Sequence, residues 1–81
     1  MTTELTLPRV GTNMEEATIV AWRKSPGDLF AAGECLYEIE TDKVTFDVEA
    51  PFAGRLLECR VPAGDNAHVG QVVGLVEPAT P

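Results

Sequence analysis

The chain has 81 residues, 44% of them hydrophobic, and its 13 acids against 6 bases give a net charge of −7. That length holds one domain, whose modest core has little room for an enclosed catalytic cleft. The negative charge repels phosphate backbones and anionic membrane surfaces, which argues against nucleic-acid and lipid-surface roles, whereas it suits solubility and docking onto basic partners.

In chain order, the opening stretch MTTELTLPRVG has no basic region followed by an apolar run, so no secretory signal is expected. Short runs of β-type residues follow at 4–7, 17–23, 29–30, 35–40, 44–49, 54–60, 67–68 and 72–77. Turn formers stand between them: Ser25-Pro26-Gly27-Asp28, Ala32-Gly33, Pro51-Phe52-Ala53-Gly54, Pro62-Ala63-Gly64-Asp65 and Gly70. Helix is nearly absent from this pattern, and no apolar stretch reaches membrane-spanning length. Many short strands punctuated by Gly and Pro predict an all-β sandwich or barrel. Cys35 and Cys59 lie 24 residues apart, without a CxxC or a neighbouring histidine, at apolar positions of strand-like runs. They read as buried free thiols of a reducing cytoplasm rather than as metal ligands. His68 reads as a surface or rim residue. No Ser/His/Asp, Cys/His or metal constellation is available, so no catalytic residue is assigned.

The chain also repeats itself. ATIVAWRKSPGDLFAAGECLYEIE, from Ala17, aligns without gaps with GRLLECRVPAGDNAHVGQVVGLVE, from Gly54, at a constant offset of 37 residues. Arg23/Arg60, Gly27/Gly64, Asp28/Asp65, Gly33/Gly70 and Glu40/Glu77 are identical, and apolar residues match at Ile19/Leu56, Val20/Leu57, Cys35/Val72, Leu36/Val73 and Ile39/Val76; Trp22 faces Cys59. Each half is too small to bury its own apolar face. Two such halves are expected to pack about a pseudo-two-fold axis as a flattened barrel of two antiparallel sheets, with about four strands each.

That symmetry gives residues 38–51, EIETDKVTFDVEAP, a special place. The strand ending in Glu40 and the strand beginning at Val44 are joined only through Thr41-Asp42-Lys43-Val44, which demands a tight hairpin turn. The symmetry counterpart of this link is where the chain begins and ends, so Lys43 is expected at the pole away from the termini. Acids at Glu38, Glu40, Asp42, Asp47 and Glu49 favour the protonated amine, which makes a self-activated nucleophile or Schiff-base lysine implausible. Lys43 is either an ordinary solvated turn residue or an attachment point to which another enzyme brings an activated acyl group.

ETDKV, with its preceding apolar run and the following Ala50-Pro51-x-x-Gly54, resembles the lipoyl-lysine motif of the biotin/lipoyl attachment family, most nearly the lipoyl domains of dihydrolipoyl acyltransferase components of 2-oxo acid dehydrogenase complexes. LPRVGTNMEEATIVAWRKSPGD is similar to that family's opening pattern, and Gly27 lies 16 residues before Lys43 and Gly54 11 after it. The resemblance implies that Lys43 carries lipoate in an amide bond, with Glu40, Thr41, Asp42 and Val44 forming the recognition turn and the loop over residues 10–16 lying beside it. It implies a carrier rather than an enzyme: a swinging arm moving acyl groups and reducing equivalents. The implied partners are a lipoate ligase or lipoyl transferase, a thiamine-diphosphate-dependent 2-oxo acid decarboxylase, an acyltransferase core and dihydrolipoyl dehydrogenase. Residues 1–78 would form the domain, and 79–81 a free C-terminus or the start of a Pro/Ala-rich linker. The alternatives are a biotinyl carrier domain, against which Asp42 and Val44 stand where that pattern has methionines, and an unmodified barrel-sandwich adaptor. Phe30 departs from the family's smaller branched residue, which bears on core packing.

Overall fold

A computed structural model describes residues 2–10, 14–41 and 44–79. These residues form eight strands and no helix: β1 (Thr3–Thr6), β2 (Glu16–Trp22), β3 (Leu29–Phe30), β4 (Cys35–Thr41), β5 (Val44–Glu49), β6 (Gly54–Cys59), β7 (Asn66–His68) and β8 (Val72–Pro78). Every expected strand is present, with ends displaced by a residue or so. They pair, always antiparallel, into two sheets of four, ordered β1-β8-β6-β3 and β5-β4-β2-β7. Each sheet therefore borrows strands from both halves of the repeat. The sheets stay separate, so the barrel is an open sandwich stitched by crossing backbone bonds.

Those crossings come in symmetric pairs. Ile19 N donates to Asp65 O at 2.9 Å and Leu56 N to Asp28 O at 2.9 Å; Gly64 N donates to Ile19 O and Gly27 N to Leu56 O, both at 2.7 Å. Gly27 and Gly64 make these turns with φ of 98° and 96°, in the left-handed region that only glycine enters cheaply. The bulges repeat too: Val20 is the extra residue between Ile19 and Ala21, and Leu57 the extra residue between Leu56 and Glu58. Being extra, both leave the core face and are exposed. The outer strands β5 and β1 are also related, although at an offset of 43 rather than 37. Leu5-Thr6-Leu7-Pro8 matches Val48-Glu49-Ala50-Pro51, with Leu7 N bonding Gln71 O and Ala50 N bonding Glu34 O.

Ile19, Leu36, Tyr37, Ile39, Leu56, Ala67, Val73 and Val76 are at most 1% exposed and form one core spanning both sheets. Its filling breaks the symmetry where volume requires it. The cross-strand pair Trp22↔Tyr37, with ring centroids 4.7 Å apart, has the pair Cys59↔Gly74 as its counterpart. A Cβ on Gly74 would lie 3.2 Å from Trp22 Cη2, so the small pair makes room for the large one. Trp22 Nε1 donates to Val61 O at 2.8 Å, tying the halves together at mid-length. Both cysteines are free thiols, as expected, but half-buried rather than buried. Partial burial still raises both thiol pKa values above the ordinary 9.0, which disfavours the thiolate.

The turn before β4 carries a testable charge. Glu34 Oε1 accepts from Ala31 N at 2.9 Å and Glu34 Oε2 meets Lys24 Nζ at 2.7 Å. The Lys24 ammonium first, then the Ala31 amide, hold the Glu34 carboxyl below its ordinary 4.5. A lowered folded-state pKa contributes stability above the unfolded value, and that stability is lost as pH falls through the folded value. Gln71 occupies the matching position and makes the matching bond, accepting from His68 N at 2.9 Å. Glu34→Gln is therefore expected to keep the turn and to flatten the fall in stability below about pH 4.5. Urea midpoints across that range check it, and an unchanged acid limb would refute it.

Candidate functional site

The repeat has one break in its chemistry, the hairpin between β4 and β5. The two strands pair from Cys35↔Glu49 to Thr41↔Val44, and only two residues, Asp42 and Lys43, join the last pair. Asp42 and Lys43 lie outside the described residues. Their flanks are clear. Glu40 is exposed, Thr41 half-buried and Val44 49% exposed, so the apolar alternation that places Phe46 and Val48 against the core does not carry Val44 inward.

The hairpin end is seated against β2, which β7 flanks on the other side. Thr18 pairs with Glu40 across the β2–β4 ladder, and Thr41 Oγ1 donates to Glu16 O at 3.1 Å. The Glu16 carboxylate accepts from Asn66 Nδ2 at 2.8 Å through Oε1, and its Oε2 stands 3.7 Å from His68 Nδ1. His68 is exposed, as its rim assignment required. Of the loop over residues 10–16, Gly11, Thr12 and Asn13 lie outside the described residues. Its later part is pinned: Met14 is buried in the core, Glu15 O accepts from Val69 N at 2.9 Å, and Glu16 lies beside Thr41.

The ends of the described chain lie together at another site, where Thr3 pairs with Val76. There Gly54 pairs with Pro78 and with Phe30, and Ala79 N donates to Ala53 O at 2.8 Å. The described chain measures 38 by 20 by 18 Å, and β5 runs away from the Thr41↔Val44 closure toward Gly54, the residue that pairs with Pro78.

The chain has only two lysines, Lys24 and Lys43. Lys24 is committed to Glu34, with a side chain 19% exposed. Two acids, Glu16 and Glu40, stand at the hairpin end of the β2–β4–β5 sheet; the pair Glu38↔Asp47 lies three residues back from the closure, with Glu38 ion-paired to Arg23, and Glu49 is at the far end of the ladder, opposite Cys35. Two open grooves exist among the described residues. One of about 530 Å³ lies at the Gly54–Pro78 pole, and one of about 270 Å³ lies between β1 and β5. Neither is lined by Glu40, Thr41 or Val44.

Comparison with known proteins places this geometry. Residues 3–76 match the biotin/lipoyl family model, described as that of biotin-requiring enzymes. The chain is 44% identical over 77 residues to the dihydrolipoyllysine-residue succinyltransferase component of the 2-oxoglutarate dehydrogenase complex of Bartonella vinsonii subsp. berkhoffii, covering 95% of this chain and 19% of that protein. It spans about a fifth of the length of the curated relatives it matches. The solution structure of the lipoyl domain of the 2-oxoglutarate dehydrogenase complex from Azotobacter vinelandii superimposes with a TM-score of 0.77 at 27% identity, covering 95% of this chain and 98% of that one. A single-chain, multi-domain long-chain acyl-CoA carboxylase shares the fold, with a TM-score of 0.81 at 21% identity over 99% of this chain and 7% of that one.

Proposed function

The chain belongs to the biotin/lipoyl attachment family, and from that premise we propose that it is a lipoyl carrier domain modified on Lys43. The observation that carries this reading is the closure of β4 on β5 at Thr41↔Val44, with Lys43, the chain's one lysine besides Lys24, in the two-residue link. The lipoyl domain from Azotobacter vinelandii, matched over almost its whole length, favours lipoate over biotin.

Modification is an acyl transfer. Lys43 Nζ, after losing a proton, attacks the carbonyl of an activated lipoyl group; an amide C–N bond forms and the activating group leaves. A lysine amine is an ammonium at neutral pH, so the lipoylating enzyme has to supply the base. Lys43 Nζ would hold the group, and a lipoyl group held there would supply the dithiol–disulfide chemistry of reductive acyl transfer, with dihydrolipoyl dehydrogenase as the oxidant that restores the disulfide. The chain's part is presentation. A paired strand end fixes the root of the arm, the exposed flanks Glu40 and Val44 leave it accessible, and a tether keeps its effective concentration high at successive active sites. Asp42, Glu40, Thr41 and Val44 form the turn read by the lipoylating enzyme.

Residues 1–78 would be the carrier domain, as part of a dihydrolipoyl acyltransferase or free-standing, and 79–81 the start of a linker or a free C-terminus. Its partners would be a thiamine-diphosphate-dependent 2-oxo acid decarboxylase, an acyltransferase core and dihydrolipoyl dehydrogenase in the cytoplasm. Among the described residues no helix is long and apolar enough to cross a membrane.

Intact-mass measurement after coexpression with a lipoate ligase tests the proposal. One lipoyl addition is expected, and no addition after coexpression with a biotin ligase; biotin addition without lipoyl addition would replace the reading.

A further inference from the structure

The two poles are related by the pseudo-two-fold, so they can be compared atom by atom. At the terminal pole the carbonyl of Ala53 is satisfied by a backbone donor, Ala79 N, at 2.8 Å. At the hairpin pole the matching carbonyl, that of Glu16, receives a side-chain donor, Thr41 Oγ1, at 3.1 Å; the residue matching Ala79 is Asp42, which lies outside the described residues. The residue matching Thr41 at the terminal pole is Pro78, which has no side-chain donor, and the residue matching Glu16 is Ala53. The side-chain bond is thus an addition peculiar to the pole that carries the lysine.

The addition is also well anchored. Glu16 pairs with His68 across the β2–β7 ladder, and its carboxylate holds Asn66 Nδ2 at 2.8 Å. Asn66 Oδ1 in turn lies 3.5 Å from Thr18 Oγ1. A hydroxyl bound to Glu16 O is therefore bound to a strand fixed on both sides. Thr41 is the last residue of β4 before the two-residue link, so whatever fixes Thr41 fixes the root of the acceptor. Its hydroxyl points back at β2 and is spent on a backbone acceptor, which makes it a poor recognition contact.

We propose that Thr41 is a positioning residue: its hydroxyl latches the end of the attachment hairpin to the Glu16 carbonyl and so holds the acceptor lysine in the register the lipoylating enzyme requires. This inference rests on Lys43 being the lipoylated residue. It refines the role of Thr41 from a surface that is read to a bond that presents.

Removing one neutral hydrogen bond with little change of shape is worth roughly a three- to ten-fold change in an equilibrium or rate. Thr41→Val deletes the donor and keeps the branched volume. Its kcat/KM for modification by lipoate ligase is expected to fall about three- to ten-fold, and Thr41→Ser, which keeps the hydroxyl, to restore most of it. In the unmodified domain, Thr41→Val should also speed amide hydrogen exchange at Thr41 and Val44 while leaving Ile39 and Val76 protected. Absence of lipoyl addition to the unaltered chain would refute the functional reading itself. Given addition, three outcomes would overturn the latch: unchanged kinetics in Thr41→Val, a Thr41→Ser variant as slow as Thr41→Val, or slowed modification with unchanged exchange, which would mean that the enzyme reads the hydroxyl directly.

Discussion

Lys43→Arg is expected to abolish lipoyl addition completely, leaving the mass of the bare chain after coexpression with a lipoate ligase, while the melting temperature shifts by less than about 4 °C. The guanidinium keeps the positive charge at the hairpin, so the electrostatic surroundings of Glu40 and Asp42 are preserved. It is not a usable nucleophile at neutral pH, because it stays protonated and its lone pairs are delocalised. The variant thus separates a requirement for an amine from a requirement for a charge. Lys24→Arg is the companion experiment. It retains a cation for the Glu34 carboxylate, and full modification is expected. Lipoyl addition persisting in Lys43→Arg would move the acceptor to Lys24 or to the terminal amine and undo the assignment.

The repeat was legible because its turns depend on residue types that nothing else can replace. Gly27, Gly33, Gly64 and Gly70 all have φ between 86° and 98°, and a left-handed position leaves glycine as its mark in the sequence. The Thr41–Val44 hairpin was legible for a related reason, since two paired runs so close together admit no other connection. Less was legible where pairing is long-range. The kinship of β1 with β5 sits at a different offset, and its one clear trace is Leu7-Pro8 against Ala50-Pro51. The exposure of Val20 and Leu57 was hidden because a bulge moves an apolar residue outward without changing its identity. The same limit explains the cysteines, whose apolar positions are partly open to solvent. The latch from Thr41 to Glu16 joins residues 25 apart through a backbone acceptor, which no side-chain pattern records.

Gly54→Ala is expected to be among the most damaging single-methyl changes in the chain, costing about 3 kcal/mol and lowering the melting temperature by roughly 15 °C. Gly54 makes no left-handed turn; it is required by proximity. A Cβ there would meet Glu77 O at 2.5 Å, Pro78 Cα at 3.1 Å and Phe30 Cζ at 3.2 Å. Two of the three are backbone atoms of β8, so relief means prising β6 from β8 where they pair at Gly54↔Pro78. The third is the far end of the Phe30 side chain, which is only 5% exposed but borders the open groove at this pole, so the two backbone contacts carry most of the cost. Against a total stability of about 4–12 kcal/mol for a domain of this size, the loss is severe. Gly27→Ala supplies the contrast. Nothing lies within 4 Å of its added Cβ, so it meets only backbone strain at φ 98°, worth about 1–2 kcal/mol. Thermal melts of both variants decide the matter: a Gly54→Ala domain as stable as Gly27→Ala would mean that β6 and β8 can separate at little cost. The spacing from Lys43 to Gly54 would then have no packing origin.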